Sequence, residues 1–231
     1  MAIAPVDPEV ARLVDPAVLA AGREDLTALF RLAERHGYHE GIDNHFSLSV
    51  PGQDELFLLN RYGPHWSEIT PRDILLVDTD GRTLDGVGEA QITALQIHRA
   101  IHQARPDARC VVHTHMPYAT AVSVTESGFL TRLTQSSMSF HGQVAELDYG
   151  GQVQGADEGE RLAAKVAEGA SVLLLRNHGV IIVGLDPADA WLKTYFLERA
   201  CEAQILAQSA SPKGVRLASK KVAKHTARQW A

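Results

Sequence analysis

Three histidines carry the chemistry legible in this 231-residue chain. His113 and His115 flank one residue in Cys110-Val111-Val112-His113-Thr114-His115, at the end of an apolar, β-branched run that predicts a buried strand. Residues two apart on a strand point to the same face, so both imidazoles can reach one point in space. A third histidine, His178, closes a second apolar run in Leu173-Leu174-Leu175-Arg176-Asn177-His178-Gly179. The glycine that follows permits a sharp turn or a close backbone approach. A His-x-His strand by itself reads more often as two half-buried, hydrogen-bonded histidines, and the chain has 11 histidines from which such a pair can arise. The third histidine at a second strand end tips the balance toward a metal. Three neutral imidazoles, with no thiolate and no obvious fourth ligand, suit one catalytic divalent ion with open positions rather than a closed structural site. Zinc is the first expectation, and the same donors accommodate iron or manganese.

The elements that must position these residues alternate between helix and strand. Leu26, Leu29, Phe30 and Ala33 mark one helical face, ended by Gly37. Phe46 to Val50 alternates as a strand should, and Pro51-Gly52 turns the chain. Leu56–Leu59 and Ile74–Val77 predict further strands, with a turn at Asp80-Gly81. Gln91 to Ala104 predicts a helix that leads through Arg105-Pro106-Asp107 into the strand of His113. Asp157 reads as the N-cap of a helix that runs to Gly169. Apolar runs at Ser171–Arg176 and Val180–Val183 flank His178, and Asp186-Pro187 opens a last long helix that fades near Ser209. No repeat or linker interrupts this order. The expectation is one α/β domain over residues 1–231, a mostly antiparallel sheet with helices packed on it, its core at about 26–208.

Composition narrows the partners. The formal charge is −6, with no charged block in the body of the chain, so nucleic-acid or membrane-surface binding has no electrostatic support. The basic stretch over 212–231, with Lys213, Arg216, Lys220, Lys221, Lys224 and Arg228, reads as a solvated or subunit-packing tail. Cys110 and Cys201 lie far apart in apolar segments, which fits a reduced, cytoplasmic protein better than a disulfide framework. Met1 to Val14, broken by Pro5 and Pro8, has neither the basic start nor the apolar centre of a signal peptide. No apolar run approaches membrane-spanning length.

Several ordered motifs then resemble one family. Gly41-Ile42-Asp43-Asn44-His45-Phe46-Ser47, Tyr62-Gly63-Pro64-His65-Trp66-Ser67-Glu68-Ile69, Arg105-Pro106-Asp107-Ala108, His113-Thr114-His115 and Asn177-His178-Gly179 follow the order of the class II aldolase/adducin family. The likeness covers about Leu26 to Gln208 and is nearest to adducin-like members around Asn44. It implies a three-layer α/β/α fold, a cytoplasmic location and a homotetramer with active sites between subunits. It also implies that His113, His115 and His178 match the family's zinc-binding histidines. Asn44 and Gly63 match residues of its phosphate loops, and Thr93 falls where phosphate-binding serines occur. Amide and hydroxyl donors there could hold a phosphate or carboxylate, and an inward-pointing Arg61 would add a bidentate clamp. Turn and helix-capping duty accounts equally well for Asn44 and Thr93.

One departure matters. Sugar-phosphate aldolases of the family carry a proton-transferring glutamate nineteen residues before the first metal histidine; counting back from His113 gives Ala94. The resemblance therefore implies a lyase lacking its usual base. Decarboxylation tolerates that loss best, because departure of CO2 itself generates the carbanion and only a later protonation is needed. His141, Tyr118 and Tyr149 are the acid/base candidates, each taken singly better explained by packing with a satisfied polar tip. The leading expectation is a metal-dependent lyase, decarboxylase or aldolase in type, acting on a small hydroxy or keto acid or a sugar-derived substrate through a metal-stabilised enolate. Alternatives are a non-haem Fe(II) oxygenase on the same scaffold and a non-catalytic, adducin-head-like assembly protein.

Overall fold

A computed structural model describes residues 8–151, 156–211 and 213–230. After a short turn of helix, α1 (Val10–Leu13), the long helix α2 (Pro16–Arg35) opens with Pro16 at its first position. Asp15 caps it by accepting a hydrogen bond from the Ala17 amide at 2.8 Å. The hairpin β1 (His45–Val50) and β2 (Gln53–Asn60) follows, then β3 (Ile74–Asp78), β4 (Thr83–Asp85) and the helix α3 (Ile92–Ala104). Next come β5 (Cys110–Thr114), the short helices α4 (Pro117–Ser123) and α5 (Gln135–Ser139), β6 (Val144–Leu147) and α6 (Ala156–Ala167). The hairpin β7 (Val172–Leu175) and β8 (Gly179–Gly184) leads to α7 (Pro187–Ala210) and α8 (Lys220–Trp230). The α6 helix begins one residue before Asp157, whose capping contacts lie outside the described residues.

Among the described residues eight strands form one sheet in the order β4-β3-β2-β1-β5-β8-β7-β6. Six of its seven ladders are antiparallel, and β6 pairs with β7 in parallel. The expected mostly antiparallel α/β/α architecture is the one observed. Alternation along β5 sorts the layers. Cys110 and Val112 pack with residues of α2, α4 and α7, while Val111 packs with Ile97 and Ile101 of α3 and Leu162 and Val166 of α6. On the first face Phe30 stacks on Phe46 at 4.2 Å, and Trp66 meets both rings edge-on. Such pairs add about 0.5–1.5 kcal/mol beyond area burial and fix α2 against β1. Gly184 allows α7 to close over the sheet, since a methyl there would lie 2.5 Å from the Ala190 nitrogen.

Residues 220–230 of the basic C-terminal stretch form the helix α8. Ala223 and Ala227, four apart, are buried, and Trp230 meets Phe196 at 5.2 Å. Lys220, Lys221, Lys224 and Arg228 are exposed. Cys110 and Cys201 are separate, buried thiols. Among the described residues no helix is long and apolar enough to cross a membrane.

Candidate metal centre

His113 is the fourth residue of β5, on the α3/α6 face, and His115 follows two residues on, just past the strand end. The β7–β8 turn delivers His178. Asn177 adopts φ 59° there, a left-handed conformation asparagine tolerates. Gly179 then permits close approach, since a methyl in its place would lie 2.7 Å from Cδ2 of His115. The three rings meet with centroids 5.0, 5.0 and 4.6 Å apart. One ligating atom from each lies within 4.8 Å of the others.

Second contacts preset two of these rings for a metal. Nδ1 of His113 lies 3.0 Å from the Val180 carbonyl oxygen, which only accepts, so Nδ1 carries the proton and Nε2 keeps its lone pair. Nδ1 of His115 is likewise held by the Glu40 carboxylate, and its Nε2 is buried with no partner among the described residues. A carboxylate or carbonyl behind a ligating imidazole is the usual way of fixing its tautomer. Burial, reinforced by His45, His115 and His178, holds the His113 pKa well below the ordinary imidazole value. It stays neutral, as ligation requires. The donor set and the orphaned Nε2 of His115 therefore fit a divalent ion.

A cavity of about 280 Å³ opens over this trio. Asn44, Thr93 and Tyr149 line it with His113, His115 and His178. Asn44, at φ 78°, accepts the His115 amide on Oδ1 at 3.2 Å, while its Nδ2 is buried without a partner among the described residues and has N–H groups left to donate. The Tyr149 ring lies 5.3 Å from that of His178 and is half-exposed. Other expected residues lie elsewhere. Arg61 does not form the inward clamp: its guanidinium pairs with Asp73 at 2.6 Å and its stem lies against Gly88. Gly63, at φ 110°, is exposed and outside the lining. Tyr118 lines a separate recess with Tyr38 and Glu198, and His141 hydrogen-bonds Thr131 at 2.9 Å. Neither reaches the cavity of the trio.

Ala94 is buried against Phe57, Leu59, Leu75 and Val77, and the residues of α3 that line the cavity are Thr93 and Ile97. Among the described residues the lining carboxylates are Asp43 and Asp148. Sequence reasoning passed over four further residues. His45 lines the cavity, and Ser47, His98 and His102 continue behind it in a buried hydrogen-bonded series. Their signal is a His-x-Ser that runs into the strand predicted from Phe46, and His98/His102 four apart on a predicted helix. Glu40 left no such signal.

The sequence matches the Class II Aldolase and Adducin N-terminal domain over residues 24–205. The chain belongs to this family. A Caulobacter vibrioides relative named for aldolase class 2 is 40% identical over 200 residues, covering 85% of this chain and 76% of its own. Alpha-adducin of Rattus norvegicus is 35% identical over 81% of this chain, which spans 26% of that longer protein. Among solved structures, an aldolase II superfamily protein from Pseudomonas syringae superposes with a TM-score of 0.86 at 36% identity, covering 96% of this chain and 88% of that one. L-fuculose 1-phosphate aldolase from Glaciozyma antarctica gives 0.78 at 26% identity, covering 99% and 85%. The aldolase II fold expected from the motifs is thereby shown.

Proposed function

We propose that this class II aldolase family member is a metal-dependent carbon–carbon lyase, with His113, His115 and His178 as the ligands of one divalent ion, zinc in the first place. The observation that carries the reading is the convergence of three imidazoles on one cavity, two of them with Nδ1 tied back and Nε2 left as donor. A bound divalent ion supplies Lewis acidity that stabilises negative charge developing on a substrate oxygen. The protein's own groups do the rest. Asn44 Nδ2 and the Thr93 hydroxyl offer donors to a carboxylate or phosphate, and Tyr149 stands at the mouth as a proton donor. The substrate is a small hydroxy or keto acid or a sugar derivative. Because α3 presents Thr93 and Ile97 rather than a carboxylate, decarboxylation is favoured over aldol cleavage. The functional unit is a cytoplasmic homotetramer, and light scattering that shows a monomer at micromolar concentration would remove it.

The test is metal analysis of freshly purified protein followed by a substrate panel. About one divalent ion per chain is expected, lost in His113→Ala and His178→Ala. Sugar phosphates and metal-chelating carboxylic acids are then screened side by side, with and without oxygen. Aldol cleavage should fall short by a factor of about 100 to 10,000, the usual contribution of a general base. Efficient aldolase activity overturns the preference for decarboxylation. Oxygen-dependent turnover moves the reading to an Fe(II) oxygenase. Absence of both metal and turnover favours the non-catalytic alternative that the likeness to adducins keeps open.

A further inference from the structure

Behind the cavity runs a continuous series of buried hydrogen bonds that has one fixed end. Nδ1 of His102 lies 2.7 Å from the Ala108 carbonyl oxygen, and Nε2 of the same ring lies 2.7 Å from Ser47 Oγ. Ser47 Oγ is 2.5 Å from Nδ1 of His98, and Nε2 of His98 is 2.6 Å from Nδ1 of His45. His98 and Ser47 are fully buried, and His102 and His45 nearly so. The series links α3 to β1 and ends on the strand that pairs with β5, directly opposite His113.

The direction of every bond follows from the Ala108 end. A carbonyl oxygen only accepts, so His102 carries its proton on Nδ1. A neutral ring has one N–H, so His102 Nε2 accepts from the Ser47 hydroxyl. That hydroxyl has a single proton, so Ser47 in turn accepts from Nδ1 of His98. His98 Nε2 then accepts from Nδ1 of His45. Neutrality is the physical expectation for all three rings, since each is buried and burial opposes charging an imidazole; it holds His98 and His102 below the ordinary value, His102 at about 4. The series therefore leaves Nε2 of His45 unprotonated. Among the described residues that atom has no protein partner and is not sealed from solvent, and His45 lines the cavity of the metal trio.

We propose that His45 is a substrate-facing hydrogen-bond acceptor beside the metal centre, held in the Nδ1–H tautomer by a relay through His98, Ser47 and His102 that is anchored on the Ala108 carbonyl. It offers the lone pair to a substrate hydroxyl in a cavity to which α3 contributes Thr93 and Ile97 and no carboxylate. His45 does not join the set of mutually close ligating atoms, so its role is distinct from that of a fourth ligand. Ser47, His98 and His102 are positioning residues. The role toward substrate rests on the proposed metal centre, whereas the tautomer relay stands on the hydrogen-bond geometry alone.

The experiment is 15N NMR of histidine-labelled full-length protein, reading the tautomer of each ring from long-range 15N–1H correlations. Nδ1–H is expected for His45, His98 and His102 in the parent protein. A proton on Nε2 of His45 overturns the proposal without any variant being made. In Ser47→Ala the relay is cut in its middle, so His102 should stay Nδ1–H while His98 and His45 lose their single tautomer; Ser47→Thr should restore it. A Ser47→Ala protein that folds and keeps His45 unchanged rejects the relay. Zinc content separates the second claim. His45→Gln should retain the parent's zinc stoichiometry, and loss of zinc would make His45 a ligand instead. If the parent itself binds neither zinc nor iron nor manganese, the metal-centre reading fails and takes the substrate-facing role with it, while the tautomer result still decides the relay.

Discussion

His45 and His113 sit directly opposite each other across the β1–β5 ladder, their ring centroids 4.9 Å apart. Paired antiparallel residues share a face, so both rings stand on the α3/α6 side of the sheet. Their Nδ1 atoms are anchored in different directions, His113 on the Val180 carbonyl and His45 on His98. Two neighbouring imidazoles on one ladder rung are thus oriented differently by what lies behind them.

Glu40 should tune the metal centre without touching the ion. Its carboxylate holds Nδ1 of His115 and orients the ring, although the carboxylate itself is largely exposed. Glu40→Gln removes the charge and keeps an acceptor. Zinc affinity measured by chelator competition should fall by about 10–100-fold, the usual effect of losing such a partner. An unchanged affinity would show that His115 is oriented by its backbone alone.

Gly179 offers a second handle, acting through space rather than charge. A methyl at this position would lie 2.7 Å from Cδ2 of His115 and 2.8 Å from the Thr114 carbonyl. Gly179→Ala must therefore displace His115 or part β5 from β8. A weaker metal site is expected with all three ligands still present, together with a loss of stability of about 1–3 kcal/mol. Chelator competition and urea denaturation of the zinc-free protein read the two effects separately. Wild-type zinc affinity in a folded Gly179→Ala protein would mean the turn relaxes away from His115.

Much of this was legible in the chain, for identifiable reasons. Periods of two and of three to four residues are local, so the strand of His113, the helix face of Leu26, Leu29, Phe30 and Ala33, and the Asp186-Pro187 helix start could be read directly. Gly179 by itself predicts a sharp turn or a close approach, but that His115 is the neighbour emerges only in the fold. The direction of Arg61 could not be read, because its partner Asp73 is fixed only when the loop between β2 and β3 closes. His45 and Ser47 showed strand spacing, and His98 and His102 helix spacing, but their meeting depends on how α3 docks on β1. The α8 helix escaped notice because two alanines and a tryptophan make a faint apolar face among lysines.

The buried histidines should also make stability depend steeply on acid. His102 titrates near 4 in the folded protein because burial disfavours its charged form, against about 6.5 when unfolded. The unfolded chain therefore binds the proton first. Stability is complete above pH 6.5, falls as the pH drops toward 4, and loses nothing further from this group below that. His102 alone should cost about 2 kcal/mol on going from pH 7.5 to pH 5, and about 3 kcal/mol over the full window. His45, His98 and His113, shifted in the same direction by burial, steepen the fall. Urea denaturation at the two pH values, with chelator present so that metal release does not contribute, measures the slope. His102→Gln removes a titrating group and should flatten the difference by about 2 kcal/mol even if it lowers stability at both. An undiminished slope in that variant would mean that His102 takes up its proton without unfolding the protein, and that the anchor at Ala108 is not holding it neutral.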